Sequence, residues 1–130
     1  MAAHLVRAAV LVVGLAACSK ADDAAKATGP RDAVIAAWKA EKLEPAGLAP
    51  ASVAFAKDCQ SGAISNLDVL VCNFPSPAEA KAAENPALTW IGATTGAAQA
   101  HGAALIVLAD RKKADPNGRM INKLLKLAPN

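Results

Sequence analysis

The chain has 130 residues, 54% of them hydrophobic but only 3% aromatic, and a formal charge of +3. That length admits one small domain and excludes two independently cored ones. Alanine carries much of the apolar count and buries little area, so a thin core of marginal stability is expected. The large core formers are few: Trp38, Phe55, Phe74, Trp90 and the Leu, Ile and Val positions. Positive charge is local, with six Lys/Arg against one acid between Arg111 and Lys126.

His4 and Arg7 make a short basic start, and an apolar run from Ala8 to Ala17 follows. This is the charged region, short apolar region and small-residue processing site of a secretory signal. A run of about ten residues is half of the roughly twenty that cross a bilayer as a helix. Leu15-Ala16-Ala17-Cys18 resembles the lipobox of bacterial lipoproteins, in which the cysteine is lipidated and becomes the mature N-terminus. The resemblance implies removal of residues 1–17, a lipid on Cys18 and attachment to a membrane through it. In that family an aspartate after the cysteine favours inner-membrane retention. Ser19 stands there instead, which implies the outer membrane, facing the periplasm. An odd number of cysteines is awkward in an exported chain. Lipidation of Cys18 leaves Cys59 and Cys72 as a pair, expected to be oxidised outside the cytoplasm.

Ser19 to Gly29 is small, polar and charged without apolar periodicity, so residues 18–29 read as a lipidated N-terminus and tether. Its root-mean-square reach is roughly 18 Å. Residues 30–130 then form the single domain. A first helix is expected from about Pro30 to Leu43, with proline at its first position and Val34, Ile35 and Trp38 on one stripe. Ala49 to Lys57 is ambiguous between a strand and a loop that plugs the core with Val53 and Phe55.

Cys59 to Phe74 reads as a β-hairpin turning at Ser65-Asn66, because Leu67, Val69 and Val71 alternate with Asp68, Leu70 and Cys72. Partners in that register sum to 131, which sets Cys59 opposite Cys72 at a non-hydrogen-bonded pair. There the Cα atoms approach to about 4.5 Å, close enough for a disulfide.

Ser76-Pro77-Ala78-Glu79 is a capping box that opens a second helix, ending near Asn85-Pro86. Trp90 and Ile91 return bulk to the core. Gly96 to Asp110 reads as a second hairpin turning at His101-Gly102, and its apolar return run, Ala104 to Leu108, suits a central strand. Asp115-Pro116 should cap a last helix with Ile121, Leu124 and Leu125 inward and Arg119, Lys123 and Lys126 outward. The expected fold is α+β in the order α-ββ-α-ββ-α, a four-stranded antiparallel sheet with helices on one face.

Chemistry-bearing patterns are sparse. A redox pair would be Cys-x-x-Cys at a helix start, whereas twelve residues separate Cys59 from Cys72, so a structural disulfide is the reading. His101 is the one histidine of the mature chain, beside a turn glycine, and offers neither a patterned acid nor a zinc set. Ser61-Gly62 lacks the setting of a nucleophilic serine, and Thr94-Thr95-Gly96 lacks a phosphate-loop lysine. No catalytic, metal or cofactor site is therefore expected. The C-terminal basic face reads as solvated, with anionic lipid headgroups as the sharper alternative and nucleic acid excluded by export.

Beyond the lipobox the chain is similar only to small lipoproteins of Gram-negative envelopes, a resemblance that implies no activity. The expected function is a non-catalytic, membrane-anchored interaction or accessory module with an envelope protein as partner. The alternative is a carrier of a small or lipidic ligand, held by Trp90, Phe74 or Phe55.

Overall fold

The computed structural model describes residues 29–130; the expected signal, the lipidation expected at Cys18 and the expected tether up to Thr28 lie outside them. The elements run α1 (Pro30–Ala40), β1 (Ala46–Val53), β2 (Ala56–Ile64), β3 (Leu67–Asn73), α2 (Pro77–Ala82), α3 (Leu88–Ile91), β4 (Thr95–His101), β5 (Ala104–Asp110) and α4 (Arg119–Leu127). The domain is α+β, with one antiparallel sheet of five strands in the order β1-β2-β3-β5-β4.

The fifth strand, β1, takes up the first half of the stretch Ala49 to Lys57 that the sequence left ambiguous; the second half forms the turn and the start of β2. β1 is an alanine- and glycine-rich edge strand without long β-formers, interrupted by two register shifts, and its pattern is weak for those reasons. It pairs with β2 through Pro50↔Gln60 and Ala51↔Cys59. Gln60 directs its backbone polar groups to Val71 of β3, so Pro50 turns its own away from the sheet. The missing N–H thus falls on the free edge, where proline is tolerated and blunts strand addition.

The hairpin of β2 and β3 has the expected register, Ile64↔Leu67 through Asp58↔Asn73, and Cys59 faces Cys72. The two Sγ atoms are 2.06 Å apart with Cα atoms at 4.0 Å, a disulfide. Ser65 and Asn66 both take positive φ, 50° and 69°, as a two-residue type I′ turn requires.

Helices cover both faces of the sheet, not one. Leu67, Val69, Val71, Ala104, Ile106 and Leu108 pack against Val34 and Trp38 of α1 and Ile121 and Leu124 of α4. Leu70, Cys72, Leu105, Val107 and Ala109 pack on the opposite side beneath Ala83, Ala87 and Ile91. All seven residues of β5 are buried because it lies between β3 and β4 with helix on either side. Trp38 is fully buried, and its indole Nε1 donates to the Leu124 carbonyl at 2.9 Å, joining α1 to α4.

Helix ends differ from expectation by a few residues, for local reasons. α1 stops at Ala40 because Lys42 adopts φ 62°, which lets Lys42 N–H donate to the Lys39 carbonyl and Leu43 N–H to that of Trp38. This is a Schellman closure with lysine in the glycine position, sealed by Leu43 against the core. Ser76 caps α2 as expected, accepting from Glu79 N–H at 3.2 Å, but that helix ends at Ala82 and α3 follows as a separate turn. α4 begins at Arg119, later than the Asp115-Pro116 start. The Asp115 carboxylate still caps it from a distance, accepting from Met120 and Ile121 N–H at 3.2 and 2.9 Å. Asp110 in turn accepts from Ala114 and Asp115 N–H, which folds the loop that carries Asp115.

Gly96 has a steric role. A Cβ there would sit 2.2 Å from the Leu108 carbonyl oxygen and 2.7 Å from Ile91, so only glycine lets α3 close on the sheet.

Candidate functional site

The turn between β1 and β2 lifts Ala54 and Phe55 off the sheet, with Val53 paired to Ala56 below them. Phe74 lies opposite, directly after β3, and its N–H donates to the Ala103 carbonyl at 2.8 Å. Neither ring enters the interior fully. Both pack half-buried against the outer margin of the cluster that contains the disulfide.

Between them the surface opens into a groove. One lobe, about 520 Å³, runs from Val53 and Phe55 to Asn73, Pro75 and Glu79. A second, about 530 Å³, continues from the same two rings to Ala82, Ala83 and Pro86 on the α2 side. Ala54, Phe55, Phe74 and Glu79 belong to both lobes, so the two form one continuous depression. Its lining is mostly apolar, and its charged side chains, Lys57, Asp58 and Glu79, are exposed.

A polar cluster closes one end. Arg31 donates through its guanidinium to the Asp58 carboxylate at 2.6 Å, and Asn73 Nδ2 donates to the same carboxylate at 3.0 Å. The Arg31 backbone N–H donates to Asn73 Oδ1 at 2.7 Å, which ties the start of α1 to the end of β3. These hydrogen bonds, Asn73 first and then Arg31, hold the Asp58 carboxyl below its ordinary pKa. None of this cluster was foreseen. Its members are 15 to 42 residues apart, and no local pattern marks them.

Of the three aromatics proposed from the sequence, Phe55 and Phe74 share the groove and Trp90 lies outside it. The Arg111 guanidinium carbon sits 4.4 Å over the Trp90 ring, while Arg111 also donates to the Trp90 carbonyl and, at 2.7 Å, to Asp68. Trp90 is thus covered by a cation that is itself anchored on β3. Cys18 falls outside the described residues.

His101 does not occupy the turn; Gly102 and Ala103 do, with Gly102 at φ 59°. His101 is the last residue of β4 and is buried, with Nε2 2.6 Å from Gln99 Oε1 and Nδ1 without a partner. Burial lowers its pKa, against the opposing pull of the Asn130 side chain, the Ala128 backbone and, least, the Glu84 carboxylate. Glu84 accepts from the Ala100 N–H at 2.7 Å, and this bond is the main reason that its own pKa is lowered.

Arg119, Lys123 and Lys126 are exposed along α4 beside Asn122 and Leu127. Among the described residues no three His, Cys, Asp or Glu side chains lie grouped as metal ligands, and no helix is long and apolar enough to cross a membrane. No protein-family model, curated protein or solved structure matches the chain.

Proposed function

We propose that the chain is a lipid-anchored, periplasm-facing envelope lipoprotein that acts as a non-catalytic interaction module for another envelope protein. The observation that supports this reading is the groove with Phe55 and Phe74 at the surface of a domain whose sheet is already covered on both faces. Aromatic side chains at the margin of an open apolar depression suit the reception of a partner's apolar anchor. The lipobox-like Leu15 to Cys18 and the tether after it supply attachment and reach.

Attachment is tested by fractionation of cells that make the full chain. Wild type should sediment with membranes and Cys18→Ala should appear in the soluble periplasmic fraction; a soluble wild type would sink the anchoring. In-cell cross-linking of the wild type, followed by mass spectrometry, then tests the module. One dominant protein, captured several-fold less by Phe55→Ser, is the expected result.

The second reading, a carrier for a small or lipidic ligand, is favoured by the mostly apolar lining and the size of the groove. A small molecule that co-purifies with wild type and not with Phe55→Ser, with no protein cross-linked, would put it first.

A further inference from the structure

Charge is segregated on this domain. The segment from Arg111 to Lys126 holds six Lys/Arg against one acid, whereas the other described residues hold five against eight. At the surface the segment is more one-sided still. Asp115, its one acid, and Asp110 just before it are buried, and both carboxylates accept from backbone N–H groups of the loop and of α4. Arg111 is engaged by Asp68. Lys112, Lys113, Arg119, Lys123 and Lys126 are exposed, and none pairs with an acid among the described residues. Arg119, Lys123 and Lys126, spaced by four and three, share one face of α4. With Asn122 and Leu127 they line one open depression of about 430 Å³.

Like charges gathered in this way repel one another, and an anionic surface relieves that repulsion. We infer that this face docks the domain on a bilayer that carries anionic phospholipids, with their phosphate groups received along α4. The chemistry of the face favours lipid over an acidic protein segment. Protein interfaces centre on aromatic or arginine anchors in desolvated pockets and are depleted in lysine. Here four of the five unpaired cations are lysines, and α4 keeps Ile121 and Leu124 inward. Leu88, the one exposed large apolar residue among those described, lies on α3. Headgroups require no such anchor, since each Lys or Arg near an anionic surface adds about fivefold to binding. The docking is oriented as well. The rest of the described residues are net acidic and are repelled by the same surface. α4 packs on one side of the sheet and the two phenylalanines of the groove on the other, so docking through α4 turns the groove away from the lipid. Nothing in this docking requires a lipid on Cys18, and it is distinct from reception of a partner in the groove.

The test uses the full chain with Cys18→Ala, so that no acyl chain contributes, in sedimentation with vesicles. One set is phosphatidylcholine alone, and the other contains about one third phosphatidylglycerol. The readout is the ratio of binding to the anionic set over the neutral set, so apolar contact of residues 1–17 with lipid is common to both. A ratio of about a hundredfold or more is expected for the unaltered face. It should approach one as salt rises from about 0.1 to 1 M and the screening length shrinks from about 10 to 3 Å. Lys123→Gln/Lys126→Gln should lower it roughly thirtyfold. Lys57→Gln/Lys81→Gln, the same charge change at exposed positions on the groove and on α2, should lower it less than about threefold. On the anionic vesicles, amine labelling should slow several-fold at Lys123 and Lys126 and stay unchanged at Lys57. A ratio near one at low salt, a ratio that persists at high salt, or equal losses in the two variants would overturn the inference. Protection of Lys57 in place of Lys123 and Lys126 would overturn the orientation. Absence of vesicle preference together with an acidic protein cross-linked in cells through Lys123 or Lys126 would replace the bilayer by a protein partner.

Discussion

Lys42 shows how a single backbone conformation sets the length of an element. An apolar stripe carried the expected first helix to Leu43, but φ 62° at Lys42 ends it at Ala40 and folds Leu43 onto the core. A side chain in this left-handed region costs roughly 1–2 kcal/mol that glycine avoids, offset in part by the greater unfolded freedom of glycine. Lys42 is exposed, so Lys42→Gly should stabilise the domain by about 0.5–1 kcal/mol in urea unfolding. A loss of stability would mean that the lysine side chain contributes more than its backbone costs. Asp58 and Glu84 are carboxyls held below their ordinary acid range, so among the described residues the group with a shifted pKa near neutral pH is His101. Burial lowers its pKa in the folded state, so below the ordinary histidine value, about 6.5, the unfolded chain takes up a proton that the folded chain refuses. Its contribution is therefore intact above that value and declines as pH falls from about 7 towards 5. Urea midpoints measured across this range should fall on acidification for wild type and stay flatter for His101→Gln. Parallel slopes would assign the effect to other groups.

At the scale of elements, both free edges of the sheet are guarded by different devices. Pro50 removes a donor from the outer side of β1, whereas the outward Ala100 N–H of β4 is occupied by the Glu84 carboxylate. Glu84→Ala should speed amide exchange at Ala100 by about tenfold, the equivalent of one charge-assisted hydrogen bond, and leave β3 amides unchanged. Unaltered exchange at Ala100 would show that α2 alone shields the edge. The inner part of the fold was legible in the sequence and the outer part was not. The alternation of Leu67, Val69 and Val71 about a Ser65-Asn66 turn determined the register, and with it the Cys59–Cys72 pairing. The unbroken run from Ala104 to Leu108 placed β5 inside the sheet, and the same run already implies cover on both faces, because a strand with one wet face alternates. The one-faced architecture overlooked that implication. β1 escaped recognition because Ala, Gly and Pro carry no strand signal, and its pairing is imposed by β2. Of the groove, the two phenylalanines could be named in advance, but their proximity depends on a hairpin tip and a loop that only the folded sheet brings together.

For the whole molecule, the disulfide links stability to the proposed site. Cys59 and Cys72 are 4% and 0% exposed and lie in the cluster against which Phe55 and Phe74 pack. The bond closes a short loop, with a sequence separation of 13, and in the chain-entropy view this removes about 3 kcal/mol of freedom from the unfolded chain. A small domain rich in alanine has a net stability of only about 5–15 kcal/mol, so that contribution is a large fraction of the total. The double variant Cys59→Ala/Cys72→Ala removes the bond without leaving buried thiols. With a urea dependence of about 1.5 kcal/mol per molar, its midpoint should fall by about 2 M relative to the oxidised chain. The hairpin register itself is held by the Ser65-Asn66 turn and the Leu67–Val71 packing, so near-native circular dichroism is expected below the new midpoint. A shift under about 0.5 M would show that β2 and β3 are already constrained in the unfolded chain. Collapse of the native spectrum without urea would instead show that the core cannot hold this sheet together unless the two strands are covalently joined.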